Sequence, residues 1–229
     1  IIKCIFVQTK NSMTLSEEDY IKAIYHLSKD EQKGVSTNAI AAQMDTKASS
    51  VTDMIKRLAE KKVVHYKKYQ GARLTEEGKA YAAKIIRKHR LWEFFLVEKL
   101  NFSWDEVHDI AEELEHIKSD KLIEKLDTFL DYPRIDPHGD PIPDSNGNIK
   151  KVEKTLLCSI KKGKKGIVVG VKDSSSEFLR YLDKLNIALG EEITVLNKEP
   201  FDNSVLIKLN DSEINISAMT ANNIFLKTN

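Results

Sequence analysis

The chain has 229 residues, enough for two domains or three small ones with apolar cores of their own. Charged residues make up 31% of it and the formal net charge is only +1, which favours a soluble protein. Two distant cysteines, Cys4 and Cys158, exclude a disulfide framework and a cysteine zinc motif, so we expect a cytoplasmic protein. The apolar opening is too short for a membrane span and lacks a signal-peptide layout.

The near-zero net charge conceals a strong asymmetry along the chain. From Asp45 to Arg90 there are 13 Lys and Arg residues against 5 Asp and Glu, whereas from Leu91 to Pro133 there are 4 against 12. A basic segment followed by an acidic one predicts a polyanion partner for the first and a cation for the second.

The first predicted helix follows an N-terminal extension, residues 1–12, to which we assign no function. Ser16 is predicted to cap this helix, which runs from about Glu17 to Lys29 with apolar residues at helical spacing. Asp19 lies in its first turn, where an acidic residue also simply suits the positive end of the helix dipole.

A helix-turn-helix is predicted next. Ser36 can cap a short helix, a three-residue turn follows, and a second helix runs from about Ala48 to Lys62. Its start carries short polar side chains and its exposed side carries basic ones, a combination suited to base edges and phosphates in a major groove. The predicted DNA contacts, including one from the hairpin that follows, are Thr37, Lys47, Ser49, Ser50, Thr52, Lys56 and Arg73.

Two β-prone runs around Gln70-Gly71-Ala72 complete this region. Basic Lys67, Lys68 and Arg73 flank the turn, as in the wing of a winged helix. We therefore predict a winged helix-turn-helix DNA-binding domain over residues 13–75, with double-stranded DNA as its partner.

Thr75 can cap a long helix from Glu76 to about Leu100. Its apolar face also carries His89 and Glu93, four residues apart. A carboxylate on a core-facing stripe needs a partner, because its desolvation is unfavourable by several kcal/mol. A bound cation or an ordinary buried ion pair would both supply that partner.

A capping box formed by Ser103 and Glu106 predicts another helix, over the stretch 104–120. Four potential ligands fall on one face of it, within an arc of about 100°. Nitrogen and oxygen donors placed together are what a divalent metal needs, although a solvated acidic face would show the same pattern. These residues are His108, Glu112, Glu115 and His116.

A further apolar helix, about Asp120 to Leu130, is our candidate dimer contact and ends a helical domain over residues 76–133. The proline-rich stretch 134–151 is predicted to be a linker. We assign its Asp136, His138 and Asp140 to turns and caps rather than to a metal site.

Residues 152–229 contain five short β-prone runs at regular spacing, interrupted by one helix from about Glu177 to Leu185. Such spacing predicts a small β-barrel.

This order of elements resembles the diphtheria toxin repressor family of metal-dependent transcriptional regulators. The resemblance covers almost the whole chain from Met13 and is most specific in EDYIKAIYHL, RKHRLWE and VHDIAEELEHIKSD. It implies an α+β multidomain fold with an N-terminal winged helix-turn-helix, an all-helical dimerisation domain and a C-terminal small SH3-like (FeoA-like) β-barrel.

The resemblance also implies two metal sites. It places the primary, activating site at Asp19, Glu112, Glu115 and His116. It places an ancillary site at His89, Glu93 and His108. In members with the barrel that domain adds ligands, for which Glu177 is the best candidate and Asp173 the second.

Departures from the family pattern bear on the metal. Iron-responsive members carry Met and Cys where this chain has Asp19 and Glu112, and the two carboxylates make the primary site harder. This favours Mn2+ first and Fe2+ second. Lys22 stands where some manganese-responsive members have a Glu that serves a two-metal site, which argues against that arrangement.

The resemblance implies a homodimeric repressor rather than an enzyme, with no small organic substrate. Metal bridging the first helix and the dimerisation domain would activate binding to palindromic operators of metal-uptake genes. One alternative is a winged-helix regulator that answers an organic effector. Another is a metallo-hydrolase, although the chain shows no separate base, nucleophile or phosphate loop.

Overall fold

A computed structural model describes residues 13–28, 33–150 and 152–228. The predicted extension, Cys4 and the predicted helix end at Lys29 lie outside these residues. The chain divides into two compact units: one extends to Arg87 and includes 145–147, and the other comprises the residues from Lys88 to Asp144 and from Asn148 onward. Within the described ranges no helix has the length and apolar character that crossing a membrane requires.

The first helix of the first unit, α1, spans Leu15–Leu27. Its cap is Thr14 rather than the predicted Ser16. The Thr14 hydroxyl accepts from the Glu17 backbone while the Glu17 carboxylate accepts from the Thr14 backbone. The same T-x-x-E spacing is present in the sequence, and this reciprocal pair satisfies two helix-end donors where Ser16 would satisfy one.

The helix-turn-helix follows the prediction closely. Helix α2 spans Thr37–Gln43 and is capped by Ser36, and α3 spans Ala48–Glu60. Fully buried Ile21, Ile40 and Ile55 lie in the apolar core of this unit. The spacing of apolar residues therefore placed these helices correctly.

The wing is an antiparallel hairpin of β1, Val64–Lys67, and β2, Gly71–Leu74. Val35 and Ala72 exchange two backbone hydrogen bonds of 2.8 and 2.9 Å, which attach the hairpin to the rest of the unit. Gly71 has φ +83°, and a Cβ there would lie 2.4 Å from the Val35 carbonyl oxygen. Only glycine fits this position without displacing backbone.

The helical region begins with α4, Glu76–Leu100, and the Thr75 hydroxyl accepts from the Gly78 backbone as predicted. The division between the two units falls within this helix.

Helix α5 spans Val107–Leu114 and is shorter than predicted at both ends. The Glu106 carboxylate accepts hydrogen bonds from the backbone N–H and the hydroxyl of Ser103, as a capping box predicts. Residues 104–106 nevertheless form turns and not a helix. Glu115 is the C-cap residue and His116 lies beyond the helix. The four predicted ligands consequently do not all lie on one helical face.

Helix α6 spans Asp120–Phe129 and is capped by Ser119. The proline-rich stretch after it contains no named helix or strand among its described residues, yet it is anchored. The Arg90 side chain pairs with Asp136 at 3.2 Å and with Asp140 at 3.3 Å, and donates to the Pro141 carbonyl at 2.6 Å. The predicted linker is thus a packed segment.

The C-terminal part is a six-stranded antiparallel sheet in the order β3-β8-β4-β5-β6-β7. The strands are β3 Thr155–Leu156, β4 Lys165–Val171, β5 Glu192–Lys198, β6 Val205–Leu209, β7 Ser212–Ile216 and β8 Ile224–Lys227.

The six-stranded sheet fits a small SH3-like domain. It does not close into a barrel, since β3 and β7 remain its edges. The predicted helix is α7, Ser176–Lys184, whereas α8, Ala218–Ala221, and β8 were not predicted. Strand β8 is only four residues long and follows α8 closely, so its short apolar run gives little periodicity to detect.

Candidate metal centre and DNA-binding surface

His89 and Glu93 lie one turn apart on α4 and are buried, as their place on the apolar face predicted. His89 Nε2 is 2.9 Å from Glu93 Oε1. On its other side, His89 Nδ1 is 2.7 Å from Glu115 Oε2 and 3.7 Å from Glu112 Oε1. One imidazole therefore connects the predicted ancillary ligand Glu93 with two predicted primary ligands.

His108 reaches the same carboxylate from α5. Its Nδ1 is 3.4 Å from Glu93 Oε1 and its Nε2 is 3.7 Å from Glu112 Oε1. Its ring meets that of His89 edge-on, with centroids 5.0 Å apart. Nearly half of the His108 side chain is exposed, so the cluster has one side open to solvent.

These distances bring together the three predicted ancillary residues. Nitrogen and carboxylate oxygen atoms of His89, Glu93 and His108 lie within 4.8 Å of one another, and so do those of His89, Glu112 and Glu115. Imidazole nitrogen with hard carboxylate oxygen is a donor set for Mn2+, Fe2+ or Zn2+. The residues present therefore fit a divalent transition metal, and His89 can serve either set.

Two residues of this neighbourhood were not predicted from the sequence to be metal ligands. His138 and Asp136 come from the proline-rich segment, are buried, and form a third convergent group with Glu93. His138 Nδ1 is 3.5 Å from Glu93 Oε1. Asp136 also has the predicted turn role, because its Oδ1 accepts from the backbone of His138 and of Asp140. No periodicity marks such a segment, so only the fold identifies these groups.

The electrostatics of this neighbourhood depend on Glu93. Burial would raise the pKa of Glu93, but hydrogen bonds from His108, His138 and His89 hold it well below its usual value. Burial would lower the pKa of His138, yet the hydrogen bond and charge of Glu93 raise it to about 9. Burial and the charge of Glu93 raise the pKa of Asp136 to about 7, against the opposing charge of Arg90.

The other predicted ligands have these positions. Asp19 is half-buried on α1 in the first unit, and His116 is half-buried just after α5 in the second. Glu177 and Asp173 are exposed at and before the start of α7. Among the described residues, no convergent group of potential metal ligands includes either of these two.

The predicted DNA contacts lie on the first unit. Thr37 begins α2, Lys47 precedes α3, and Lys56 is exposed along α3. The Thr52 hydroxyl donates to the Ala48 carbonyl at 2.9 Å within the helix. The remaining members, Ser49, Ser50 and Arg73, are also exposed.

Three family models match successive parts of the chain. Residues 12–72 match the iron dependent repressor N-terminal DNA binding domain, and residues 75–144 match the iron dependent repressor metal binding and dimerisation domain. Residues 155–228 match the FeoA domain.

Individual proteins agree with these matches. An HTH-type transcriptional regulator of Methanocaldococcus jannaschii is 37% identical over 119 residues, 52% of this chain and 95% of that protein. The iron-dependent repressor IdeR of Mycobacterium bovis is 33% identical over 135 residues, which are 58% of this chain and 57% of IdeR.

A solved structure resembles almost the entire chain. A manganese-dependent transcriptional repressor in complex with manganese has a TM-score of 0.83 and 32% identity, covering 93% of this chain and 99% of that one. With three domains in the same order and likeness over nearly its full length, the chain belongs to the diphtheria toxin repressor family of metal-dependent transcriptional regulators.

Proposed function

We propose that this protein is a transcriptional repressor whose DNA binding is activated by a divalent transition metal. The observation that carries the proposal is the convergence of imidazoles from three chain segments on one buried carboxylate oxygen, Glu93 Oε1. A cation explains why these ionisable groups are gathered in the interior, since a structural ion pair needs only one partner for each charge. The winged helix supplies the DNA-reading part.

Asp19 is the residue that would link metal to DNA. It belongs to α1 of the first unit, whereas Glu112, Glu115 and His116 belong to the second. We assign these four side chains to the primary site, following the family pattern. When bound, the cation supplies positive charge that attracts carboxylates from both parts of the chain. Holding Asp19 beside Glu115 would fix the DNA-reading module in its binding arrangement.

The donor set favours manganese, with ferrous iron second. The proposed primary site has three carboxylates and one imidazole and contains no sulfur ligand. Hard oxygen donors suit Mn2+, and imidazole accommodates Fe2+ equally well. The similar manganese-dependent repressor supports the first choice and the similar iron-dependent repressor supports the second.

We also propose a homodimer that binds a palindromic operator. On α6, Leu122 and Phe129 remain exposed although the helix packs a buried stripe of Ile123 and Leu126. Leu100 and Phe102 are also exposed, at the end of α4 and just after it. Exposed large apolar side chains in the helical region support an interface with a second copy. Because the repressor is activated by metal, we propose that its operators belong to metal-uptake genes.

The test is a DNA-binding titration on genomic fragments with Mn2+, Fe2+, Zn2+ and a chelator in parallel. We expect Mn2+ or Fe2+ to tighten binding to a small set of fragments by at least tenfold, and chelator to reverse the effect. Binding that ignores both metal and chelator would overturn the proposal. It would favour the alternative regulator that answers an organic effector.

A further inference from the structure

The FeoA-like domain, residues 155–228, carries a dense group of positive charges at the start of its long strands. Between residues 152 and 172 the sequence has six lysines against one glutamate. Four of these lysines lie in the pentapeptide KKGKK, residues 161–165, which leads into β4 and is exposed throughout. We call this pentapeptide the lysine turn.

The lysine turn has a fixed backbone. The Lys164 amide donates to the Lys161 carbonyl at 3.1 Å, which closes a tight turn, and Gly163 supplies the positive φ of +76° within it. The Gly163 amide donates to the Val195 carbonyl at 2.7 Å, and the Val195 amide donates to the Lys164 carbonyl at 2.9 Å. These bonds attach the turn to β5, an interior strand of the sheet, so its side chains project from a defined frame.

Carboxylates neutralise only part of this charge. Lys165 pairs with the exposed Glu192 at 2.9 Å, and the Lys162 ammonium donates to the neutral Asn197 side chain at 3.0 Å. Within the described part of the chain, Lys161 and Lys164 form no ion pair. Like charges on one short turn repel each other, and a bound polyanion would relieve that repulsion.

Duplex DNA is the polyanion with the best access to this turn. It carries about one negative charge for each 1.7 Å of its axis, and lysine binds phosphates without reading sequence. The winged helix lies on the same chain and keeps bound DNA near the FeoA-like domain. A tethered second site meets its partner at an effective concentration of about millimolar, an advantage that RNA or a membrane surface lacks.

We propose that the lysine turn is a second DNA-contacting surface, which binds phosphates outside the base pairs read by the winged helix. The proposal rests on the DNA-binding function proposed above. The contact is independent of sequence and adds affinity without any further base readout. Lys161 and Lys164 carry most of the effect, because neither gives up a carboxylate partner when it binds a phosphate.

The test compares the full-length wild type with the double variant Lys161→Gln, Lys164→Gln. The probe is a labelled duplex of random sequence, about 60 base pairs long, which requires no knowledge of the operator. Anisotropy titrations at a series of KCl concentrations measure affinity and its salt dependence. We expect the double variant to bind about tenfold more weakly at low salt, with a slope of log affinity against log salt smaller by about 2 for each engaged protomer.

The double variant Lys172→Gln, Lys184→Gln is the matched control. It removes the same charge from exposed positions of the same domain, one just after β4 at the end opposite to Lys165 and one at the end of α7. We expect its affinity and its salt slope to match those of the wild type. Circular dichroism and light scattering compare the fold and the oligomeric state of all three proteins.

A second measurement locates the contact. A genomic fragment that binds in the presence of Mn2+ is cut to the shortest duplex that still binds, and is also lengthened on both sides with random sequence. The wild type should exceed the lysine-turn variant about tenfold on the lengthened duplex and much less on the short one. An equal loss on both duplexes would contradict a contact outside the base pairs read by the winged helix.

Equal affinity and equal salt slope for the wild type and the lysine-turn variant on the random duplex would overturn the inference. So would loss of the dimer in that variant alone, because that result assigns the turn to the acidic stretch, residues 91–133, of a second copy. In either case Mn2+-stimulated operator binding by the wild type would leave the proposed function intact. A wild type that binds no duplex under any of these conditions would overturn both.

Discussion

Two sets of buried carboxylates differ in how the protein satisfies them. In the DNA-binding unit, Glu17 contacts Lys61 at 2.8 Å and Glu18 accepts from the Tyr81 hydroxyl at 2.7 Å. In the helical region, Glu93 is approached by three imidazoles, and His89 lies between two carboxylates. The first set resembles ordinary structural pairing, whereas the second gathers more titratable groups than packing requires. We infer that the first serves stability and the second serves ligand binding.

The strongest test of this difference substitutes one fully buried carboxylate from each set. Glu115→Gln keeps the size of the side chain and removes a charge from the proposed primary site. We expect metal-stimulated DNA affinity to fall about 100-fold, the range seen when a charged, hydrogen-bonded partner is lost. Fluorescence anisotropy with labelled operator at saturating Mn2+ measures the change.

Glu18→Gln is the matched control, since its amide oxygen can still accept from Tyr81. We expect the metal response of that variant to match the wild type. If the two variants lost the response equally, the distinction between the two sets of carboxylates would not hold.

Breaking the Glu17–Lys61 pair should alter stability and not the metal response. Lys61→Met keeps the aliphatic stem, and we expect it to lower the free energy of unfolding by about 1 kcal/mol at pH 7. Burial would raise the pKa of Glu17, but hydrogen bonds from Lys61 and Thr14 lower it. Because the pKa of Glu17 is lower in the folded protein, its carboxylate stabilises the folded state at pH values above its ordinary pKa of 4.5. This stabilisation is lost as the pH falls through the folded-state pKa.

Chemical denaturation of both proteins from pH 7 to pH 3 measures this effect. The difference between wild type and Lys61→Met should shrink as the solution is acidified. A difference that stays constant over this range would show that the pair does not account for it.

His108 is the most accessible imidazole of the cluster and should have a smaller effect than Glu115. His108→Asn removes a proposed ancillary ligand, and we expect about a fivefold increase in the Mn2+ concentration needed for half-maximal DNA binding. An anisotropy titration over Mn2+ concentration measures the midpoint. An unchanged midpoint would show that His108 takes no part in the metal response.

The smallest expected effect is at the DNA surface. Lys56 is exposed on α3, and its 3.6 Å contact to Asp53 is itself exposed to solvent. Lys56→Gln should weaken operator binding about threefold and reduce the slope of log affinity against log salt by about 1, as loss of one phosphate contact predicts. The Mn2+ midpoint should stay as in the wild type. An unchanged salt slope would exclude a phosphate contact by Lys56.

Local patterns in the sequence predicted much of the fold. Helical periodicity and capping placed α2, α4 and α6, because those signals lie within a few residues of each helix. The same reasoning placed His89 and Glu93 on a buried stripe. It failed at α5, where the Ser103 and Glu106 contact forms without starting a helix, and at the short strand β8.

The neighbours of Glu93 could be predicted only in part. His108 was predicted from its helix, but His138 approaches from 45 positions further along the chain, in a segment whose prolines indicate only turns. A local pattern contains no information about which distant segment packs beside it. The anchoring of that segment by Arg90 is likewise a property of the fold.

The most direct test of the cation bridge is the operator affinity of wild type and Asp19→Ala as a function of Mn2+ concentration. We expect Mn2+ to tighten wild-type binding by at least tenfold. Asp19→Ala should show almost no metal response while remaining dimeric by light scattering. Normal metal-stimulated operator binding by Asp19→Ala would contradict the claim that a cation links the first helix to the metal-binding domain.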